Sequence, residues 1–373
     1  MKMVDTHKKT KEPLLHIVKR DDITGLKAWL IRLAAIALGL LLSGVISSLL
    51  TGAAFGKVYD IMFTGVFGRI FEGKTTMLWR FLQNTAILLC LALAVTPAFK
   101  MRFWNCGAEG QALMGGLAAM ICMMKIGDAV PNAVLILIVV VASVVAGALW
   151  GMIPALFHAK YKTNETLFTL MMNYVATQIV AYYVVLTTAG GGSNIIKPVP
   201  YGNLPVLFGQ KYLMNIVIVA VLMVGVYIYQ KYSKHGYEIA VVGESRNTAR
   251  YIGINVKKVI VRTMIISGAL CGVAGMLLVA GTDHSINTNT VGGQGFTAIM
   301  ISWLGQFNPF IMAAMAGLVT FLETGAAKVA DTFFLNSSYA DIVSGIVILF
   351  LVGCEFFIHY SVKFRHSKKG GAA

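Results

Sequence analysis

The chain has 373 residues, 57% of them hydrophobic and only 13% charged, and its 31 Lys and Arg against 16 Asp and Glu give a net charge of +15. A soluble domain carries about 25% charged residues, so the composition excludes a water-facing enzyme, a disordered chain and a secreted disulfide scaffold. It predicts an all-α integral membrane protein in which roughly ten transmembrane helices of about 20 residues, some short or broken, occupy a little over half the chain.

Residues 1–27 are polar and basic and lack the short apolar core and cleavage site of a signal peptide, so they are expected as a basic N-terminal segment. The transmembrane domain is expected over 28–362. Its first run is 28–50, opened by Trp29, and the mixed, Gly-containing stretch 51–78 reads as a loop. The second run, 79–98, opens at Trp79 and closes at Pro97; after a polar break at Lys100 to Asn105, a third covers 107–124. A turn at Asp128 to Pro131 leads to a fourth run ending at Phe157, and a short basic link, His158 to Glu165, to a fifth at 166–188. A Gly- and Pro-rich loop, 189–211, precedes the sixth run at 212–230, and a long polar loop, 231–261, precedes the seventh at 262–281. The polar loop 282–293 opens onto a short eighth segment at 294–306, broken by Asn308-Pro309; the ninth and tenth runs are 310–327 and 340–362, and a basic tail, 363–373, ends the chain. With the N terminus in the cytoplasm, 23 of the 31 basic residues fall on the inner side and 8 on the outer. That asymmetry is the positive-inside pattern, it places both termini in the cytoplasm, and it accounts for the basicity without nucleic acid as a partner. Cys90, Cys106, Cys122, Cys271 and Cys354 lie in or beside apolar runs without a CxxC, and read as reduced packing residues that form no disulfide and hold no metal.

Three stretches carry polar chemistry. Asn105-Cys-Gly-Ala-Glu-Gly-Gln111 opens a segment that otherwise reads as membrane, and Glu109 has no basic residue within a helical turn. A carboxylate at membrane depth is costly unless it faces water or a polar cavity, and the glycines permit a broken backbone of the kind that lines a substrate path. A cytoplasmic turn exposing Glu109 to water fits the same spacing. Gly292-Gly-Gln-Gly-Phe296 opens the short eighth segment in a similar way. In the loop 231–261, Ser245 can cap two helical turns over Arg246 to Ile252, Gly253 sits where a left-handed residue ends helices, with apolar Ile254 after it, and Asn255 can cap the next helix. Such a short, capped helix outside the membrane is either a surface to be gripped or a solvated connector.

Asn105 to Gln111 resembles the N-x-G-A-E-G-Q signature of ABC-importer permeases of the branched-chain amino acid, ribose and nucleoside group. Thr163-Asn-Glu-Thr-Leu-Phe-Thr-Leu-Met-Met-Asn-Tyr174 resembles that group's N-E-x-x-x-T-L-M-x-N-Y stretch. Val242 to Val256 is similar to its V-G-x-N-x-x-A-A-R-Y-x-G-I-N-V loop, and Gly293-Gln-Gly-Phe296 with Leu304-Gly-Gln-Phe-Asn-Pro309 to its G-x-G-F…L-G-x-x-N-P end. The likeness runs in one order over 105–309 and is strongest to the nucleoside and simple-sugar branch. Trp104 and Cys106 depart from the usual Phe and Ile, Ser245 from Asn, Asn247 and Thr248 from Glu-Ala, and Gln306 from Gly.

The resemblance implies a permease that moves a small polar solute, nucleosides or related simple sugars, across the cell membrane. It implies a coupling helix at the loop residues Glu244, Ser245, Arg246, Ala249, Arg250, Gly253 and Ile254, docked on a cytoplasmic ABC ATPase. It implies a translocation path lined or braced by Asn105, Glu109, Gln111, Asn173, Gln294 and Trp303, Asn173 being equally open to a helix–helix hydrogen bond. Its partners would be that ATPase, a second permease chain (a paralogue or a copy), an extracellular substrate-binding lipoprotein and the membrane lipid. The chain has no G-x-x-x-x-G-K-[ST] pattern, so ATP and magnesium are expected on the ATPase and no cofactor here. An ion-coupled secondary transporter would also use broken helices, but carboxylates for ion coupling are few beyond Glu109; a membrane-embedded enzyme finds no HExxH or GxSxG to support it.

Overall fold

A computed structural model of the chain describes residues 15–19, 25–68, 75–188, 196–336 and 338–364. Most of the expected basic ends, 1–27 and 363–373, and residues 189–195 of the Gly-rich loop lie outside the described residues. The described elements are β1 (Leu15–Lys19), α1 (Gly25–Thr51), α2 (Phe55–Phe67), α3 (Thr76–Lys100), α4 (Ala108–Ile126), α5 (Asn132–Tyr161), α6 (Glu165–Thr188), α7 (Leu213–Tyr232), α8 (Lys234–Glu244), α9 (Arg246–Tyr251), α10 (Val256–Leu278, continued by a π-turn, Val279–Asp283), α11 (Gln294–Leu304), α12 (Pro309–Thr332), α13 (Ser338–His359) and β2 (Tyr360–Phe364). Eight are long and apolar enough to cross a membrane: α1, α3, α5, α6, α7, α10 with its π-turn, α12 and α13. The third and eighth runs are α4, which carries Glu109 and Lys125 near its ends, and α11. At 1.5 Å per residue, the 11 residues of α11 reach roughly 17 Å, about half the hydrocarbon thickness.

Three expectations need correction. The stretch 51–78 is not all loop, because Val58, Met62 and Val66, spaced four apart and buried, form the inner stripe of α2; Gly52, Gly56, Lys57 and Asp60 mask that period in a run-length reading. The tenth run stops being helical at His359. Its last residues and the first of the tail, Tyr360–Phe364, pair antiparallel with a strand in the N-terminal segment, Leu15 opposite Phe364 and Lys19 opposite Tyr360, a non-local pairing that no local pattern announces. The loop 231–261 holds two helices, not one: Ser233 caps α8, its hydroxyl accepting from Gly236 N at 2.9 Å.

The chain divides into two compact units, 1–62 with 326–373, and 63–325. In the first, α1 lies along α13, and Arg32 Nε donates to Glu355 Oε1 at 2.8 Å. In the second, α3 and α10 are the innermost helices, and every α3 side chain from Ala86 to Phe99 is buried. α10 packs against α5 and α4 through small residues: Ser143, Gly147 and Gly151 of α5 meet Gly268 and Gly272, and Gly115 and Gly116 of α4 meet Gly272 and Gly275. On the other face of α5, Leu137, Val141, Val145 and Leu149 are exposed, again four apart. Small residues inside and large apolar ones outside is the arrangement of helices packed in lipid, where close van der Waals approach drives association.

Candidate functional site

The chain leaves α3 at Met101 and turns back on itself before α4 begins. Arg102 takes a left-handed conformation (φ 57°) at that reversal. Asn105 closes the turn: its Oδ1 accepts from Gly107 N at 3.1 Å and from Gln111 Nε2 at 3.0 Å, and its Nδ2 donates to Ser267 Oγ at 3.0 Å and to Gln111 Oε1 at 3.2 Å. Ser267 lies midway along α10, so α4 starts deep in the bundle rather than at its edge. Asn105 and Gln111 are sealed from solvent, and each satisfies the other.

α6 holds the same break from the opposite side. Asn173 Oδ1 accepts from Gly110 N at 2.9 Å, its Nδ2 donates to Cys106 O at 2.8 Å, and Thr169 Oγ1 accepts from Cys106 N at 3.2 Å. Orphan N–H and C=O groups at the start of α4 thus find side-chain partners, as a helix end away from water requires. Of the two roles open to Asn173, these bonds are those of a helix–helix brace.

Glu109 faces the start of α11. Its Oε1 accepts from Gly293 N at 2.8 Å and its Oε2 from Gly295 N at 2.9 Å. The carboxylate therefore needs no cation, because it occupies the anion-binding end of a helix, two backbone donors and the positive end of the α11 dipole together. A Cβ at Gly295 would stand 2.6 Å from Glu109 N, so only glycine admits this approach. The polar openings of α4 and α11, distant in sequence, are one site: two broken helices joined at their N-termini. Gln294, between the two donors, has its Oε1 buried without a hydrogen-bond partner. Trp303, at the far end of α11, is 47% exposed and stacks on Trp104 at 5.7 Å between ring centroids, with Phe99 and Phe307 edge-on to it.

The loop residues form a second, separate surface. Ser245 Oγ accepts from Thr248 N at 3.2 Å. At the other end Gly253 has φ 83°, its N–H bonding to Arg250 O and that of Ile254 to Ala249 O, the paired bonds of a Schellman cap. Asn255 then caps α10 by accepting from Lys258 N. Ala249 is fully buried and, with Ile254, packs into a cluster containing Met101, Phe103, Ile239, Val242, Val259 and Met264. That cluster fixes α9 to the ends of α3, α5 and α10, while Glu244, Arg246, Arg250 and Gly253 stay exposed. Sequence reasoning passed over Tyr251 and Ile252, which are 92% and 55% exposed. Two large apolar side chains on a polar, solvent-facing helix are the available signal for a contact surface. It also gave no role to Ser267 or Thr169, whose partners Asn105 and Cys106 lie in the turn between α3 and α4. Beside α9, Arg262 Nη2 donates to Glu238 Oε2 at 2.7 Å and holds that carboxyl below its usual range. The pair's stabilisation is therefore complete at neutral pH and is lost as the pH falls through the lowered value.

Residues 77–352 match the family described as branched-chain amino acid transport system, permease component. The chain is 31% identical to a glucose ABC transporter permease protein of Haloferax volcanii over 84% of this chain and 85% of that one. It is 30% identical to a guanosine ABC transporter permease protein of Bacillus subtilis over 91% and 97%. A nucleoside ABC transporter permease protein of Lactococcus lactis subsp. cremoris is 25% identical over 86% and 90%.

Proposed function

The chain belongs to the permease-component family of the branched-chain amino acid transport system, and from that membership we propose that it carries nucleosides or related simple sugars into the cell. It is a multi-pass cell-membrane protein and the permease subunit of an ABC transporter, a transport subunit rather than an enzyme. The observation that carries the solute class is that, among the described residues, no buried cation lies at the joined helix starts. Among the described residues the buried side chains include Arg32 as their one Lys or Arg, and both it and its partner Glu355 belong to the unit 1–62 with 326–373. Glu109 has both oxygens engaged. A phosphate or other strong anion would find no fixed cation there. Asn105, Gln111 and Asn173 then serve as braces of the path, Glu109 as the pin that ties α4 to α11, and Gln294 with the exposed Trp303 as groups free to meet a hydroxylated or planar solute. The test is competitive uptake of labelled nucleosides, pentoses and branched-chain amino acids by cells carrying the complete transporter. Nucleosides or sugars are expected to be carried; uptake of amino acids alone would refute the substrate class and leave the family assignment intact.

The family carries with it an ATPase and a substrate-binding partner in general terms. In finer terms the reading is a cytoplasmic ATPase that holds ATP and magnesium, an extracellular binding lipoprotein, and a second permease chain, paralogue or copy, completing the pore. The charge asymmetry supports a cytoplasmic position for both termini. The β1–β2 pairing supports this, because ends that pair must lie on one side and the number of crossings must be even. α9 is assigned as the coupling helix. Gly253→Val forces a β-branched residue to positive φ at a cost of about 1–3 kcal/mol, with no clash, since a Cβ there meets nothing within 4 Å. Uptake and ATPase association should fall while membrane insertion persists. Cysteines placed at 246–252 should cross-link to the ATPase, and failure at every one of these positions would remove the assignment.

A further inference from the structure

The other feature of the α8–α10 region is a groove of about 370 Å³ between α8, the turn after α9 and the first turns of α10. That volume lies at the lower end of small-ligand sites. Its charged and titratable lining is Lys234, His235, Glu238, Lys258 and Arg262, with Asn255 the other polar side chain, and Ile252, Ile254 and Val259 form an apolar wall. The single carboxylate of the groove is already committed, because Glu238 accepts from Arg262 Nη2 at 2.7 Å. Among the described residues Lys234 and Lys258 form no ion pair, and Arg262 Nε is buried without a hydrogen-bond acceptor. α10 has no acidic residue in its first turn to offset this charge. The groove therefore carries excess positive charge, unused donors on two elements, and an apolar side.

We propose that this groove binds a phosphate-bearing anion. Two lysines and an arginine converging from α8 and α10 match the several acceptor oxygens of a phosphate, which charge-assisted donors recognise best. The apolar wall fits an esterified phosphate rather than a bare ion. Two sources share that chemistry: the headgroup of an anionic phospholipid, since basic pockets beside membrane helices collect such headgroups, and a soluble phosphate ester. Because Ile252, Gly253 and Ile254 line the groove as well as ending α9, an occupant would bear directly on that helix. The binding itself is independent of the transport reading and is measured on the isolated full-length chain.

The experiment has two arms. In one, the purified chain in neutral detergent is examined by native mass spectrometry with dioleoyl-phosphatidylglycerol and with dioleoyl-phosphatidylcholine. In the other, equilibrium dialysis measures binding of radiolabelled AMP. One phosphate ester per chain is expected in one of the arms, with the zwitterionic lipid not competing, and the arm that responds identifies the source. K234Q combined with K258Q should bind roughly thirtyfold more weakly, and K258Q alone about fivefold, by the usual contribution of a surface lysine to an anionic headgroup. K257Q, outside the lining, should bind as the parent does. Absence of binding in both arms, or equal binding by the double variant with an unchanged melting temperature, overturns the proposal. So does occupancy seen only as a cross-link from Lys258 to an acidic segment of the ATPase.

Discussion

Glu109→Ala is expected to abolish uptake by the assembled transporter and to lower the thermal stability of the chain. The substitution leaves the N–H groups of Gly293 and Gly295 without the oxygens that accept from them at 2.8 and 2.9 Å. A donor stranded away from water costs about 1–3 kcal/mol, so two amount to roughly 2–6 kcal/mol before the lost interaction with the α11 dipole is added. Glu109→Gln retains one acceptor oxygen but turns an NH₂ group toward the other donor, and should fall between the parent and alanine in both measurements. Initial uptake rates in cells carrying all subunits, together with melting of the purified chain, read the two effects separately. An alanine variant that melts and transports like the parent would show that α4 and α11 do not depend on this junction.

Gly272→Val should prevent the chain from accumulating in a folded form. A Cβ at this position collides with Ser143 O on α5, and lies 3.0 Å from Ser143 C and 3.3 Å from Gly147 Cα. Overpacking that displaces side chains costs about 1–3 kcal/mol; here the obstacle is backbone, which cannot rotate away, so the loss lies at or above the top of that range. Gly225→Val on α7 is the matched control, because nothing stands within 4 Å of a Cβ there. Membrane fractions analysed by size-exclusion chromatography should show a monodisperse control and little or no folded Gly272→Val protein. Equal recovery of both would mean that α5 and α10 can separate without consequence.

Much of the architecture was legible because lipid imposes a simple rule: a long apolar run must be a helix. The capped turn from Ser245 to Asn255 was legible for a related reason, since its hydrogen bonds are local and its residue types are those that caps require. What failed was non-local or masked. Nothing near Lys19 announces Tyr360 as its cross-strand neighbour, and the inner stripe of α2 is hidden by the glycines and charges in and before it, Gly52, Gly56, Lys57 and Asp60. At the candidate site the polar residues were visible one by one, but their union was not. The sequence presents Glu109 as an uncompensated charge, and its compensation consists of backbone N–H groups 184 and 186 residues away, which have no side-chain signature. Thr169 and Ser267 were given no role because a single hydroxyl in an apolar run looks like an ordinary packing residue until its partner, here in the turn between α3 and α4, is known.

The pairing of α1 with α13 sets an order on biosynthesis. Residues 63–325 are contiguous and can assemble as they emerge, whereas the unit built from 1–62 and 326–373 stays open until the last helix has been made. Arg32 reaches the bilayer first and its counter-charge, Glu355, arrives 323 residues later. An arginine costs about 2.5–3.5 kcal/mol at the centre of a membrane helix and less near its end, where the side chain reaches back to the interface; Arg32 lies near the start of α1. Until α13 is made, Arg32 is expected to stay at the interface end of α1 without its partner. A chain cut short before α13 keeps that charge without its partner and leaves β1 without its strand.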